Sequence, residues 1–377
     1  MRIAHIGPAA LPVGYAFGGA VERRMVELAA AQLCRGDDVL VVSLAPDGDE
    51  PRSGGTAREV PILDVGCRTR RPLRDMELLL RARSGIKKFA PDVIHVHNSS
   101  TAAVLLAGIP AAKVLTFDYF RYRGSERRGA RAAYRRALKS FDVLMPVSEF
   151  CAQRAAEYWS IPLADFRVLH NGVNVEQFSP DDSRRLAARQ RYDLNDRLVI
   201  GYVGRICEQK GSDTLAEAYR KVKMAHPEAA LLVAGPTDFF GQTRSTPLTD
   251  RIERLGGRWL GPVPEDEVAD VMRSLDICAM PTRQDEMFGM AAAEALSSGT
   301  PVVCSNLGGL PEVVSTSAGV LVQPGDAEAL AEELIALCGD RVTLARLAAA
   351  APREASKFTW AAIADRAETL YREVLKR

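Results

Sequence analysis

The sequence has no run of 18 or more apolar residues, so no membrane-spanning helix is expected from it. It has no Cys-x-x-Cys pair, and its 7 cysteines are odd in number. That argues against a zinc site or a disulfide framework and fits a reducing, cytoplasmic setting. The opening "MRIAHIGPAALPVG" is too short and too polar for a secretory leader and reads as a first strand. Strong charge of either sign is also missing. The formal net charge is +1, with 25 Lys/Arg against 19 Asp/Glu in residues 1–180 and, by subtraction from totals of 49 and 48, 24 against 29 in the rest. Halves of about +6 and −5 are too mild for a nucleic-acid partner.

What is present is an alternation of short Val/Ile/Leu runs with longer amphipathic stretches, the pattern of parallel strand–helix units. "RIAHI", "DVLVVS", "DVIHVH", "KVLTF", "DVLMPVS" and "RVLH" read as strands in the first half. After "HNGVNVEQFSPDD" the pattern restarts with "LVIGYVG", "ALLVAG", "GRWLG", "DICAMP", "TPVVCS" and "GVLV". At 377 residues the chain suits two domains rather than one core. The predicted fold is α/β, with two doubly wound domains joined near residues 174–183 and facing each other across a cleft. In such sheets ligands sit where strands exit into helices, so the strand exits are where chemistry is sought.

At the first exit, Gly18 and Gly19 precede the helix "AVERRMVELAAAQLCRG", in which Val21, Leu28 and the alanines form an apolar face closed by Gly36. The pair suits close backbone approach to an anion or a plain turn; it is not the Gly-x-Gly-x-x-Gly fingerprint. At the second, "YVGRICEQKGSDTLAEAY", Arg205 and Lys210 flank a loop before a helix with Ser212 and Asp213 as candidate caps. Two cations there read as a diphosphate site or as solvated surface charges. The loop is no P-loop. The third exit is "DEMFGMAAAEALSSGTPVVCS", where Glu286 and Glu294 stand eight residues apart around Gly289. Eight helical residues rise roughly 12 Å, a scale comparable with the hexose-to-ribose span of a nucleotide sugar. One carboxylate can then accept from sugar hydroxyls and the other from the ribose diol. The bland alternative is a dipole-favoured acid plus an exposed glutamate.

These blocks, with "GGAVERRMVELA", "PDVIHVHN", "VSEF", "HNGVNVEQFSP" and "LGPVPEDEVADVMRSLDICAMPT", make nearly the whole chain resemble family 4 of the retaining glycosyltransferases, which have the GT-B fold. The last exit matches that family's Glu-(seven residues)-Glu motif. The resemblance implies an acceptor-binding Rossmann-like domain over 1–176, a nucleotide-sugar-binding one over 177–355, and a final helix, 356–377, crossing back to the first. It further implies that Arg205 and Lys210 hold the donor diphosphate, that Glu286 faces the transferred sugar and that Glu294 faces the ribose. The backbone of Phe288, Gly289 and Met290 would approach sugar and phosphates, Gly19 the diphosphate, and Val263 the base.

One departure stands out. Where many members carry a histidine, "LTFDYF" places Phe117, followed by Asp118 as a hypothetical substitute. His97 in "IHVHN" reads as either core packing or an acceptor-side contact. The reaction implied is transfer of a hexosyl or N-acetylhexosaminyl group from a UDP- or GDP-sugar to a hydroxyl of a small-molecule, glycan or lipid-linked acceptor. It needs no cofactor and no metal, and "DGD" at 47–49 reads as a turn rather than a metal motif. The alternatives are a sugar-nucleotide epimerase of the same fold and a catalytically silent nucleotide-sugar-binding protein. Residues 120–139 carry eight Lys/Arg against one acid. That stretch is either a solvated basic helix or, over 121–139, a peripheral contact with anionic membrane.

Overall fold

The computed structural model describes residues 1–13, 20–45, 60–69, 73–100, 102–119, 127, 129–194, 196–238 and 244–376. Gly18, Gly19, the "DGD" turn and most of 120–128 lie outside them. The chain divides into two units, Met1–Gly172 with Trp360–Arg377, and Val173–Thr359.

The first unit holds a six-stranded sheet of β1 (Arg2–Ile6), β2 (Asp38–Leu44), β3 (Ile62–Val65), β4 (Val93–His97), β5 (Ala112–Phe117) and β6 (Val143–Pro146). Its order is β3-β2-β1-β4-β5-β6, and each ladder is parallel. The second unit holds β7 (Val199–Val203), β8 (Ala230–Ala234), β9 (Arg258–Trp259), β10 (Ile277–Met280), β11 (Val302–Ser305) and β12 (Gly319–Val322). Its order, β12-β11-β10-β7-β8-β9, is the same doubly wound arrangement counted from its own first strand. Every residue of β4, β8, β10 and β11 is buried, as strands with helices on both faces must be. Each sheet reverses its winding between the first and fourth strands of its unit, β1/β4 and β7/β10, and such reversals open the crevices in which ligands bind. No helix among the described residues is long and apolar enough to cross a membrane.

Two elements differ from the sequence expectation. "RVLH" is not a strand: Arg167 and Leu169 donate backbone bonds to Leu144 and Pro146 of β6, but the only pairing recorded there is a single bridge at Phe166. The sixth strand of that sheet is instead β3, at its edge, where only Val65 of four residues is buried. A half-solvated edge strand lacks the apolar run that marks the others.

The helix Trp360–Leu375 completes the first unit's core, its Ile363, Ala367 and Leu370 packing with Ile3, Val93 and Val114. It also closes a buried polar chain. Gln32 Nε2 donates to the Tyr371 hydroxyl at 3.3 Å, and that hydroxyl lies 2.6 Å from His95 Nδ1, whose Nε2 is 2.5 Å from Thr116 Oγ1. On its other side Gln32 Oε1 accepts from His5 Nε2 at 2.6 Å, so His5 Nδ1 accepts from His97 Nε2 at 3.0 Å. All three rings are fully buried, with His95 and His97 stacked at 4.2 Å between centroids.

Burial outweighs the Gln32 bond and lowers the His5 pKa to about 4, and it holds His95 and His97 well below the usual histidine range. The unfolded chain therefore binds more protons than the folded one between about pH 4 and the unfolded value near 6.5. The stability these rings confer is complete above that window and is lost as pH falls through it. His5 alone accounts for about 3 kcal/mol at the acid end. Melting temperature should fall steadily from pH 7 to 4.5, and His5→Asn should flatten the slope while lowering the plateau; parallel profiles would sink the assignment.

Candidate active site

In the second unit β7 runs out through Gly204 and Arg205 into a 3-10 turn, Glu208–Lys210, and then the helix Ser212–Ala225. Tyr202 Oη donates to the Arg205 carbonyl at 2.8 Å, which pins that corner. The helix is not capped by Ser212 or Asp213, as the sequence suggested. Its N-cap is Gly211, in the left-handed region at φ +72°, with no side-chain cap. The reason is contact with the neighbouring exit: a Cβ on Gly211 would stand 1.7 Å from the Pro281 carbonyl oxygen, at the end of β10. Only glycine lets the two loops meet.

They are then stitched together. The Gln209 carbonyl accepts from the backbone N–H groups of Arg283 and Gln284, at 3.0 and 3.1 Å, and from Thr282 Oγ1 at 3.2 Å. Asp213, free of capping, pairs with Arg283. The outcome is a direct contact between Lys210 Nζ and Glu286 Oε2 at 2.5 Å, the two side chains being 29% and 21% exposed. Glu286 is fixed from behind as well, its carbonyl accepting from Gly309 N–H at 2.7 Å. A Cβ on Gly308 would meet that same carbonyl oxygen at 2.2 Å.

Gly289, at φ +101°, is the N-cap of the helix Met290–Ser297. The Phe288 ring turns into the core, edge-on to Phe358 at 5.3 Å, which leaves its backbone rather than its side chain at the turn. Glu294, on the same helix, is only 5% exposed, and its charge, after burial, helps push the Cys278 thiol up to about 12. Met290 is half-buried at the helix start, while Val263, also half-buried, sits on a different loop, after β9. The structure thus brings Arg205, Lys210, Glu286 and the Phe288–Met290 turn to the β7 and β10 exits that flank the winding reversal of this sheet.

The first unit assembles a second group at the exits of β4 and β5. Asn98, in the left-handed region at φ +54°, and Asp118 bond reciprocally: Asn98 Nδ2 donates to Asp118 Oδ1 at 2.5 Å, and Asp118 N–H donates to Asn98 Oδ1 at 3.1 Å. Arg24, from the helix Ala20–Cys34, places Nη1 3.7 Å from Asp118 Oδ2 and donates from it to Asn171 Oδ1 at 3.2 Å. Sequence reasoning did not single out Arg24, Asn98 or Asn171. Phe117 is buried, its ring edge-on to Phe166 at 6.3 Å. His97 has no exposed surface and stacks within the histidine cluster.

That cluster, His5, His95 and His97, is the only group of three potential metal-ligating side chains found among the described residues. Five of its six ring nitrogens already serve hydrogen bonds, so a metal would have to displace them. In the basic stretch, the helix Ala130–Leu138 buries Ala137 and Leu138 and exposes Arg136. Arg131 is committed to Tyr158, bonding its carbonyl and lying 4.8 Å above its ring.

Comparison with known proteins assigns the lineage. Residues 17–177 match the model described as Glycosyltransferase Family 4, and residues 185–354 match Glycosyl transferases group 1. The chain belongs to glycosyltransferase family 4. A D-inositol 3-phosphate glycosyltransferase of Stackebrandtia nassauensis is 32% identical over 295 residues, covering 76% of this chain and 64% of that protein. One from Corynebacterium kroppenstedtii is 35% identical over 216 residues, covering 55% and 48%. The chain thus spans about half to two thirds of the length of these relatives. Among solved structures, a glycosyltransferase from Rickettsia africae superposes with a TM-score of 0.79 at 21% identity, over 100% of this chain and 99% of that one. Anabaena HepE in complex with UDP gives 0.78 at 21%, over 98% and 99%. Likeness at that identity shows the fold, which is GT-B.

Because Gly211 has neither room nor a suitable backbone angle for a side chain, Gly211→Ala should cost about 1–3 kcal/mol of stability. It should also part the two loops and expose the Arg283 and Gln284 amides that the Gln209 carbonyl holds. Thermal melts and hydrogen exchange at those amides check this; a variant matching wild type in both would show that Pro281 moves aside freely.

Proposed function

We propose that this family 4 member moves a hexosyl or N-acetylhexosaminyl group from a UDP- or GDP-sugar to an acceptor hydroxyl, with retained anomeric configuration and without a metal. The observation that carries the reading is the contact between Lys210 and Glu286 at the winding reversal of the second unit, beside the N-terminus of the helix Met290–Ser297. A carboxylate and an ammonium at one junction offer an acceptor for sugar hydroxyls next to a positive charge for a diphosphate.

In the reaction the bond between the sugar's anomeric carbon and the diphosphate oxygen breaks, and a bond to the acceptor oxygen forms on the same face. The acceptor proton passes to the departing phosphate. Negative charge grows on that phosphate, where Lys210, Arg205 and the backbone N–H groups after Gly289 stabilise it. Glu286 orients the sugar and Glu294 the ribose. Asp118, held by Asn98, is assigned to the acceptor. The relatives named for D-inositol 3-phosphate support a polyol phosphate as acceptor. The chain works in the cytoplasm, and the basic segment 121–139, with Arg136 and Lys139 exposed, touches anionic lipid.

Lys210→Ala and Glu286→Ala should each lower transfer by at least about a hundredfold, the scale of losing one transition-state charge partner, with folding intact by circular dichroism. EDTA should leave the rate within error, and NMR of the product should show the donor's anomeric configuration. Strict dependence on Mg²⁺ or Mn²⁺, or an inverted product, would overturn the scheme. Equal failure to co-sediment with anionic and neutral vesicles would remove the lipid contact.

A further inference from the structure

The guanidinium of Arg24 is 4% exposed, yet only one of its ends is engaged. Nη1 is held by Asn171 and faces Asp118, while Nε and Nη2 have no hydrogen-bond partner among the described residues. Those two nitrogens form one edge of the planar group, with parallel N–H bonds spaced to match the two oxygens of a phosphate or carboxylate. A buried N–H left unmade costs about 1–3 kcal/mol, so leaving this whole edge open at the exits of β4 and β5 is not a neutral choice for a fold. Asp118 does not fill it: it sits at 3.7 Å from the opposite nitrogen, and its own hydrogen bonds go to Asn98. Asp118, beside the fork, is 21% exposed.

Burial works against the charged form of Arg24, with Asp118 and then Glu22 among the charges that offset it. With part of its charge answered at the Nη1 end, the guanidinium keeps a directed pair of donors in a site of low polarity, where charge-assisted bonds are strong. We infer that the open edge of Arg24 grips an oxyanion carried by the acceptor, a phosphate monoester or a carboxylate, and so selects anionic over neutral acceptors. This rests on the glycosyltransferase reading, and it adds to that reading the residue and the chemical class by which the acceptor is chosen. Asn98, Asp118 and Asn171 act as positioning residues that fix the fork.

The test separates the two claims. UDP-saturated protein is titrated with myo-inositol phosphate, myo-inositol, glucuronate and glucose, with inorganic phosphate as competitor. Wild type should bind at least one anionic probe about tenfold or more tighter than its neutral parent, the scale of one or two charged hydrogen bonds. Inorganic phosphate should displace that probe. The phosphate and carboxylate arms tell which oxyanion is read. Arg24→Lys keeps the charge but loses the fork and should erase most of the preference. Arg24→Gln should erase all of it, with UDP affinity unchanged and folding checked by thermal melt. In acceptor kinetics the change should fall on KM rather than kcat. Equal binding of charged and neutral probes by wild type, or an undiminished preference in Arg24→Lys, would overturn the proposal while UDP binding left the donor site standing. Failure to bind either UDP or GDP would instead overturn the reading beneath it.

Discussion

The geometry of the second unit depends on one close approach, that of the Gly211 backbone to the Pro281 carbonyl. Parallel strands deliver β7 and β10 side by side, but neighbouring strands do not by themselves join their exit loops. Removing one side chain lets the loops touch, and the Gln209 carbonyl then ties them with three hydrogen bonds. Lys210 and Glu286 come from segments separated by 75 residues and owe their 2.5 Å contact to that seam. The charges do not build the site. The backbone does, and the charges occupy it.

The first unit works by a different constraint, the burial of polar groups. Its sheet carries three histidines in adjacent strands where an ordinary core would place aliphatic residues. Gln32 and Tyr371 make this tolerable by supplying a directed chain of donors and acceptors, and the orientation of one amide settles which nitrogen of His5 and of His97 carries its proton. Polar cores of this kind confer specificity when satisfied and penalise every error in packing. Arg24, near that chain, leaves two buried nitrogens without partners among the described residues.

Much of the architecture was legible because parallel strands buried on both faces write themselves as uninterrupted apolar runs. All six runs read in the second half correspond to β7–β12. The first half was less transparent where the rule weakens. "PILDV" became an edge strand without the composition of a buried one, and "RVLH" had the composition without the full ladder. At the donor-side exits the spacing of Lys210, Glu286 and Glu294 was visible, but the seam joining them was not, since nothing local ties Gly211 to Pro281. Arg24 was hidden for a simpler reason. It lies in a helix whose apolar face reads as Val21, Leu28 and alanines, and a buried arginine there looks like one more surface charge until its partners on distant loops are seen.

The helix Trp360–Leu375 belongs to the first unit although the whole of the second lies before it in the chain. On the ribosome this reverses the usual order of assembly, in which N-terminal domains close first. The second unit is continuous and has all its strands once residue 359 has emerged. The first must wait with Ile3, Val93 and Val114 uncovered and its histidines short of a phenol until residue 371 arrives. The half of the molecule translated earliest is the last to finish folding, and the interval in which it needs protection is as long as the synthesis of its neighbour.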